Sequence, residues 1–401
     1  MNTNSSNILK TISALGVGLA GMLFSTDAFA ASGNVRGYWT FTQQTAGYCD
    51  TGTMDCTGSR YTDAEFSSNE PLENARIEIR DASFNLLGSC STSTSGYYDC
   101  PWTAASMPSE VRVYFRFEDK QQRFIVYQDD GSSRWYYYVN ASTVNGIQNI
   151  GTYNIPAYGF MSLYDVMQRS YYSFVGTSGL MQSRFTGIKV LYDHPDDGGW
   201  ADGPNKTIQM GWNRTNTINA AHEAGHIADY LAKPRDSHNG WSYNGNTGHS
   251  PTSLEYRGFA LSEALADLVA VGAYWSGAAT EPRLCMYNTT GPCTSNADSH
   301  MEVANGSCST SNANNSRTRV ATTRYLWDVI DSNDDGETLD AFLYDIYEMI
   351  DDLPAGTGWG QADSASGNTE SFHQYEFESQ LDALRSVDSL SVYYKNCMGY
   401  F

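Results

Sequence analysis

The five residues His222-Glu223-Ala224-Gly225-His226 have the types and the spacing of a metal-binding helix. Residues four apart lie above one another on one helical face, so both imidazoles can bind the same ion. In this H-E-x-x-H pattern the ion is zinc, and the glutamate can take a proton from a zinc-bound water. The alternative interpretation is a pair of surface histidines on an ordinary helix.

A second segment can supply a carboxylate ligand. Residues 260–270 predict a mostly buried helix, apolar on nearly every side, yet they include Glu263 and Asp267. Charged residues are seldom buried unless they are paired or bind a metal. Glu263 can complete a His₂Glu site with a fourth position open to water, and Asp267 can accept the outer N–H of a ligand histidine. The alternative is that both acids face solvent at one edge of the helix.

Taken together, the two segments resemble the gluzincin metallopeptidases, the group to which thermolysin belongs. That family combines H-E-x-x-H with a later helix carrying Glu-x-x-x-Asp. The resemblance implies that His222, His226 and Glu263 bind one catalytic Zn²⁺. It also implies that Glu223 is the general base and that Asp267 orients a ligand histidine.

Other third ligands fit the pattern less well. Glu255 is closer in sequence to the histidines, but Phe259 occupies the i+4 position where a supporting acid is needed. The metzincin pattern requires H-E-x-x-H-x-x-G-x-x-H. Here Asp229 replaces the glycine and Ala232 replaces the third histidine. Glu263 is therefore the preferred ligand.

The N-terminus has the features of a secretory signal. Lys10 precedes an apolar core at residues 12–24, and Ala28-Phe29-Ala30 forms an A-x-A cleavage site. Residues 1–30 are therefore predicted to be a signal peptide of a secreted protein, extracellular or periplasmic. The apolar core is too short for a membrane span, and no other stretch reaches the required length.

All eight cysteines follow the predicted signal, which indicates disulfides in an exported chain. Eight cysteines allow 105 connectivities. Closeness in sequence favours three pairs and leaves a fourth: Cys49–Cys56, Cys90–Cys100, Cys285–Cys293 and Cys308–Cys397.

The formal net charge is −21, from 24 Lys and Arg against 45 Asp and Glu. Phosphate polymers and anionic membrane surfaces attract basic patches, so this balance predicts no nucleic-acid partner. Acidity alone does not identify a substrate.

The chain predicts a multi-domain protein with a junction near residues 151–156. Residues 31–152 alternate apolar and polar positions between turn signals, which predicts an all-β sandwich. Residues 71–79 with Ser95-Gly96-Tyr97-Tyr98 resemble transthyretin-like or carboxypeptidase-regulatory-like domains. Residues 153–401 predict an α+β, zincin-like catalytic domain with a mainly helical C-terminal lobe.

The strand predicted at residues 207–212 directly precedes the zinc helix. In gluzincins the corresponding edge strand pairs with an extended peptide, so the resemblance implies a protein or peptide substrate along it. The alternative is an ordinary edge strand. Two acidic turns, at residues 193–202 and 331–337, are either Ca²⁺ sites or solvated loops, and Phe342 stands where an EF-hand loop requires its bidentate Glu.

The sequence therefore predicts a secreted zinc metalloprotease, an endopeptidase that uses Glu223 as its general base. Two alternatives stay open. One is a surface adhesion or binding protein that uses a peptidase-like domain as a scaffold. The other is a metallohydrolase restricted to glycoproteins or peptidoglycan peptides, which the same site would serve.

Overall fold

The computed structural model describes residues 30–42, 68–128, 130–141, 145–155, 159–194, 199–211, 217–233, 257–274, 318–331, 343–353 and 374–386, and positions 284, 301, 393, 397 and 398. The predicted signal peptide up to residue 29, the turn at 332–337 and five of the eight cysteines lie outside these residues. The described part is a mixed α and β protein with two sheets and seven α-helices.

The strands are β1 (Ala31–Thr42), β2 (Ser68–Pro71), β3 (Ala75–Asp81), β4 (Leu86–Ser91), β5 (Tyr97–Ala104), β6 (Val111–Asp119), β7 (Phe124–Gln128), β8 (Tyr136–Ala141), β9 (Gly146–Ile155), β10 (Ile188–His194), β11 (Gly199–Asp202) and β12 (Thr207–Gly211). The helices are α1 (Gly159–Arg169), α2 (Gly179–Arg184), α3 (Thr217–Ala232), α4 (Arg257–Tyr274), α5 (Arg319–Ile330), α6 (Leu343–Asp352) and α7 (Gln374–Arg385). A π-helical turn, Ser170–Phe174, and a 3₁₀ turn, Val175–Thr177, follow α1.

The first sheet has the order β2-β1-β5, with β9 also paired to β1. The β1–β9 pair is parallel, which an entirely antiparallel sandwich would not contain. Parallel strands need a long crossover, and here all of β2 to β8 lies between the two partners. The second sheet has the order β11-β12-β10-β7-β6-β3-β4, with β8 also paired to β6.

The two sheets pack face to face through aromatic side chains. Trp39 of β1 lies 6.1 Å from Phe115 of β6 and 6.1 Å from Tyr137 of β8, measured between ring centroids. The Cys90–Cys100 disulfide joins β4 to β5 and so links the sheets, which confirms that predicted pair. Cys397 is also disulfide-bonded, to a partner outside the described residues.

The second sheet crosses the predicted domain boundary. β7 pairs in parallel with β10, from Phe124 opposite Ile188 to Gln128 opposite Tyr192. The boundary predicted between residues 152 and 153 falls inside β9. One apolar core runs from the sheets to the helices, and the division into two domains stays a prediction.

The prediction that residues 207–212 form an edge strand is wrong for the described residues 207–211. β12 pairs in parallel with β10 on one side and antiparallel with β11 on the other. Among the described strands, the outer one in this part of the sheet is β11. Sequence patterns did not reveal it because it has only four residues, Gly-Trp-Ala-Asp, within a predicted acidic turn. The acidic turn predicted at residues 193–202 is also wrong at both ends. β10 reaches His194, and β11 begins at Gly199.

The two predicted metal-binding helices are present. α3 ends at Ala232, directly before Lys233-Pro234, because a residue that precedes proline disfavours the α conformation. α4 extends well beyond the predicted 260–270 core. None of the described helices combines the length and the apolar composition needed to cross a bilayer.

Candidate metal centre

α3 and α4 are in close contact at one glycine. A Cβ atom on Gly225 would lie 2.6 Å from the Cα of Ala266 and 2.7 Å from its carbonyl oxygen. No larger residue fits there without separating the helices. The glycine inside the H-E-x-x-H pattern therefore lets the two histidines reach the carboxylates of α4.

Three side chains from these helices converge on one point. The Nε2 atoms of His222 and His226 are 3.0 Å apart. The Glu263 carboxylate lies 3.5 Å from His222 Nε2 through Oε2 and 3.4 Å from His226 Nε2 through Oε1. These three residues could hold a metal ion.

The spacing of these donor atoms fits a small, four-coordinate ion. Ligands bound at about 2.0–2.1 Å and at tetrahedral angles lie about 3.3–3.4 Å from one another. The observed separations of 3.0, 3.4 and 3.5 Å bracket that value. The residues present therefore fit an ion held by two nitrogens and one carboxylate.

Access to the centre differs between its members. His222 and Glu263 are buried, whereas His226 and Glu223 are half-buried. The side of His226 and Glu223 is therefore the more exposed side of the centre.

Asp267 lies where it can orient His222. Its Oδ1 is 2.9 Å from His222 Nδ1, on the far side of the ring from the other donors. A carboxylate at Nδ1 favours the proton on that nitrogen, so the Nε2 lone pair faces the centre. The structure thus places Asp267 on the predicted side of the ligand.

Arg319 is a member of the centre that the sequence did not predict. Its guanidinium donates two hydrogen bonds to the Asp267 carboxylate, and its Nη1 lies 3.1 Å from Glu263 Oε2. Thr323, one turn later in α5, also donates to Asp267 Oδ2, at 3.3 Å. The side chain of Arg319 is almost fully buried.

A signal for Arg319 does exist in the sequence. It is the first residue of α5, where the partial positive charge of the helix N-terminus disfavours a cation. Nearly all of the helix is buried, so a charged first residue needs a carboxylate partner. That reasoning identifies a buried ion pair but not which acids form it.

Burial and ion pairing oppose each other at the acids. Burial raises the pKa of Glu263, but the charges of His226 and Arg319 outweigh it and hold the pKa well below its usual range. Burial also raises the pKa of Asp267, and contacts with Arg319 again lower it overall. Both acids are therefore ionised at neutral pH.

The two carboxylates favour a positive charge at His222. Burial and the charge of Arg319 lower the pKa of His222, but contacts with Asp267 and Glu263 raise it to about 9. Metal ligands must be deprotonated, so an ion at this site would displace the Nε2 proton. The centre thus stabilises a cation, which is either that proton or a metal.

Glu223 lies against the outer strand β11. A Cβ atom on Gly199 would lie 3.0 Å from Glu223 Oε1, so the glycine leaves space beside this carboxylate. The outer strand therefore runs past the group predicted as the general base. The rejected ligand Glu255 lies outside the described residues.

No protein-family model matches the sequence, and no curated protein matches it either. Similar solved structures include a 9R-lipoxygenase from Cyanothece and the major plantain pollen allergen Pla l 1, each with 12% sequence identity and a TM-score of 0.18. The match covers 41% of this chain and 24% of the lipoxygenase, and 32% of this chain and 94% of the allergen.

Proposed function

We propose that this protein is a secreted, zinc-dependent endopeptidase of the gluzincin type. The observation that carries the proposal is the group of donor atoms of His222, His226 and Glu263, which are spaced like three ligands of a tetrahedral ion. Two imidazoles with one carboxylate suit Zn²⁺, whereas Ca²⁺ prefers six to eight oxygen ligands.

Zinc, when bound, would lower the pKa of a water and polarise a substrate carbonyl. With the ion bound, Glu223 would be the carboxylate that takes up a proton and later delivers it to the leaving amine. Asp267 holds the His222 ring in the tautomer that exposes Nε2. Arg319 neutralises Asp267 and keeps both carboxylates of α4 in place.

The position of β11 supports an extended peptide as the substrate. An outer strand presents backbone N–H and C=O groups that can pair with a peptide added as a further strand. The substrate residue opposite Gly199 would then lie nearest to Glu223. We therefore assign the substrate to β11 rather than to β12, whose two sides are occupied.

A casein digestion assay on the purified protein, combined with metal analysis, tests this function. We expect one zinc per chain and cleavage that 1,10-phenanthroline abolishes and added zinc restores. The control is Glu223→Gln, which should keep zinc and lose cleavage. Absence of zinc from the wild type, or equal cleavage by the variant, would refute the proposal.

A further inference from the structure

The outer surface of the second sheet carries alternating arginines and tyrosines. β6 pairs with β3 and β8 so that Arg112 lies opposite Arg80, Tyr114 opposite Tyr138, and Arg116 opposite Tyr136. These six residues are named here the arginine–tyrosine face. Side chains of alternate residues share one side of a strand, so this face is continuous over three strands.

Two of the three aromatic rings of this face are exposed, and contacts with neighbouring side chains hold them in place. Tyr136 is 43% and Tyr138 44% exposed. Tyr138 stacks on the buried ring of Tyr114 at a centroid distance of 5.2 Å. The guanidinium carbon of Arg116 is 5.3 Å from the Tyr136 centroid, and that of Arg112 is 5.4 Å from the Tyr138 centroid. Both exposed rings therefore have a fixed orientation.

One carboxylate of this surface, Glu78, lies beneath two of the arginines. Nε of Arg80 and Nε of Arg116 each lie 2.8 Å from Glu78 Oε2, and the Glu78 side chain is only 7% exposed. The arginine side chains are more exposed, at 21% and 18%. Glu78 thus fixes the two guanidinium groups from below, and both arginine side chains stay partly exposed.

The face has an excess of positive charge in an acidic protein. Beside its own three arginines lie Arg76 and Arg134, which both pair with the buried Glu118. The described ion pairs here join these five arginines to three glutamates, 78, 110 and 118, a local balance of +2 (5 − 3). The whole chain carries −21.

We propose that the arginine–tyrosine face binds a carboxylated polysaccharide. Exposed tyrosines offer large, rigid surfaces that bind apolar groups at low entropic cost, and sugar rings present flat C–H faces to them. Oriented guanidinium groups recognise carboxylates with charge-assisted hydrogen bonds. This binding does not depend on the proposed peptidase activity.

Other polymers match the face less well. A peptide is usually bound along a sheet edge or in a groove, whereas this surface is the face of a sheet. Single-stranded nucleic acid also combines aromatic stacking with phosphate contacts, but it requires a strongly basic surface. A local balance of +2, in a chain of −21, is a weak attraction for a phosphate at every nucleotide.

Retardation in native gels that contain a soluble polysaccharide tests the proposal. Carboxymethyl cellulose and hydroxyethyl cellulose share a backbone and differ in charge. At about 0.15 M salt, where the charges of the rest of the chain are largely screened, we expect retardation by the first polymer only. Tyr136→Ala/Tyr138→Ala should weaken it about tenfold, and Arg112→Gln should weaken it severalfold.

The controls are Tyr38→Ala, which removes a tyrosine of equal exposure from the other sheet, and Arg169→Gln, which removes one positive charge from α1. Both should be retarded like the wild type. Equal retardation of the wild type by the two polymers would overturn the proposal, as would normal retardation of the double tyrosine variant. Stronger binding of a thymidine oligonucleotide than of carboxymethyl cellulose would overturn it in favour of nucleic acid.

Discussion

One face of α3 carries two groups of mostly buried ionisable residues, one in each half of the helix. His222, His226, Asp229 and Lys233 follow the spacing i, i+4, i+7 and i+11, which places them on a single face. That face meets α4 at both ends. The N-terminal half contacts Asp267 and Glu263, and the C-terminal half contacts Ser262.

The C-terminal half carries a balanced ion pair. Lys233 Nζ lies 3.3 Å from Asp229 Oδ2, and the Ser262 hydroxyl donates to the same oxygen at 3.2 Å. Both charged side chains are fully buried. One positive and one negative charge cancel, so this pair needs no further ion.

The N-terminal half is not balanced in the same way. Among the described residues, two carboxylates, Glu263 and Asp267, meet the single guanidinium of Arg319, and both histidines must be neutral to bind a metal. Burial and the charge of Arg319 lower the pKa of His222, but contacts with these two carboxylates raise it to about 9. Among the described residues, the two halves thus differ in charge balance as well as in residue type, and the unbalanced half is the one that could hold a metal ion.

Of the substitutions that test this comparison, Glu223→Gln is expected to have the largest effect, which is a loss of activity. Removing the proposed general base should lower kcat/KM for a peptide substrate by about 10²- to 10⁴-fold. Zinc content should not change, because the substitution leaves all three donor groups intact. Stopped assays with a fluorogenic peptide, together with metal analysis, measure both quantities, and a fall in zinc content would show that Glu223 has a structural role instead.

At the other half of the helix, Asp229→Ala should destabilise the fold by about 3–5 kcal/mol, because it leaves Lys233 charged and buried without this partner. The measurement is urea-induced unfolding at pH 7. The matched control is Asp229→Asn/Lys233→Met, which removes both charges and should recover most of the lost stability. If the double variant were as unstable as the single one, packing and not charge balance would explain this cluster.

A smaller effect is expected for Asp267→Asn. The amide preserves the shape of the side chain but removes the charge that favours the correct His222 tautomer. Zinc affinity should fall by about 10- to 100-fold, as observed for residues that support metal ligands. Competition with a chromophoric chelator measures it, and unchanged affinity would mean that Arg319 and Glu263 orient the site without Asp267.

The parts of the site that could be predicted from the sequence are those set by local spacing. The two histidines and the two acids each lie four residues apart on their own helix, so periodicity alone groups them. Their convergence depends on a tertiary contact, and Gly225 makes it possible by removing a Cβ where α4 passes. The glycine is visible in the motif, but its partner Ala266 is not.

The role of Arg319 and the strand β11 could not be predicted from local spacing in the sequence. Arg319 lies 52 residues beyond Asp267, and no pattern of short period connects them. β11 has only four residues, with a glycine and an aspartate that disfavour strands in general, and its pairing with β12 forms it. Because β11 pairs with β12, the strand predicted to be at the edge lies inside the sheet.

The smallest effect expected concerns the pH dependence of the ion pair. Burial lowers the pKa of Lys233 from 10.5 to about 8. Between these values the unfolded chain binds more protons than the folded one, so Lys233 contributes stability that increases as pH rises. Relative to Asp229→Asn/Lys233→Met, the wild type should gain about 1 kcal/mol of unfolding free energy between about pH 8.5 and about pH 9.5. Urea unfolding of both proteins at each pH tests this. If the unfolding free energies of the two proteins changed in parallel with pH, Lys233 would stay protonated in the folded state, because Asp229 would stabilise its charge as well as water does.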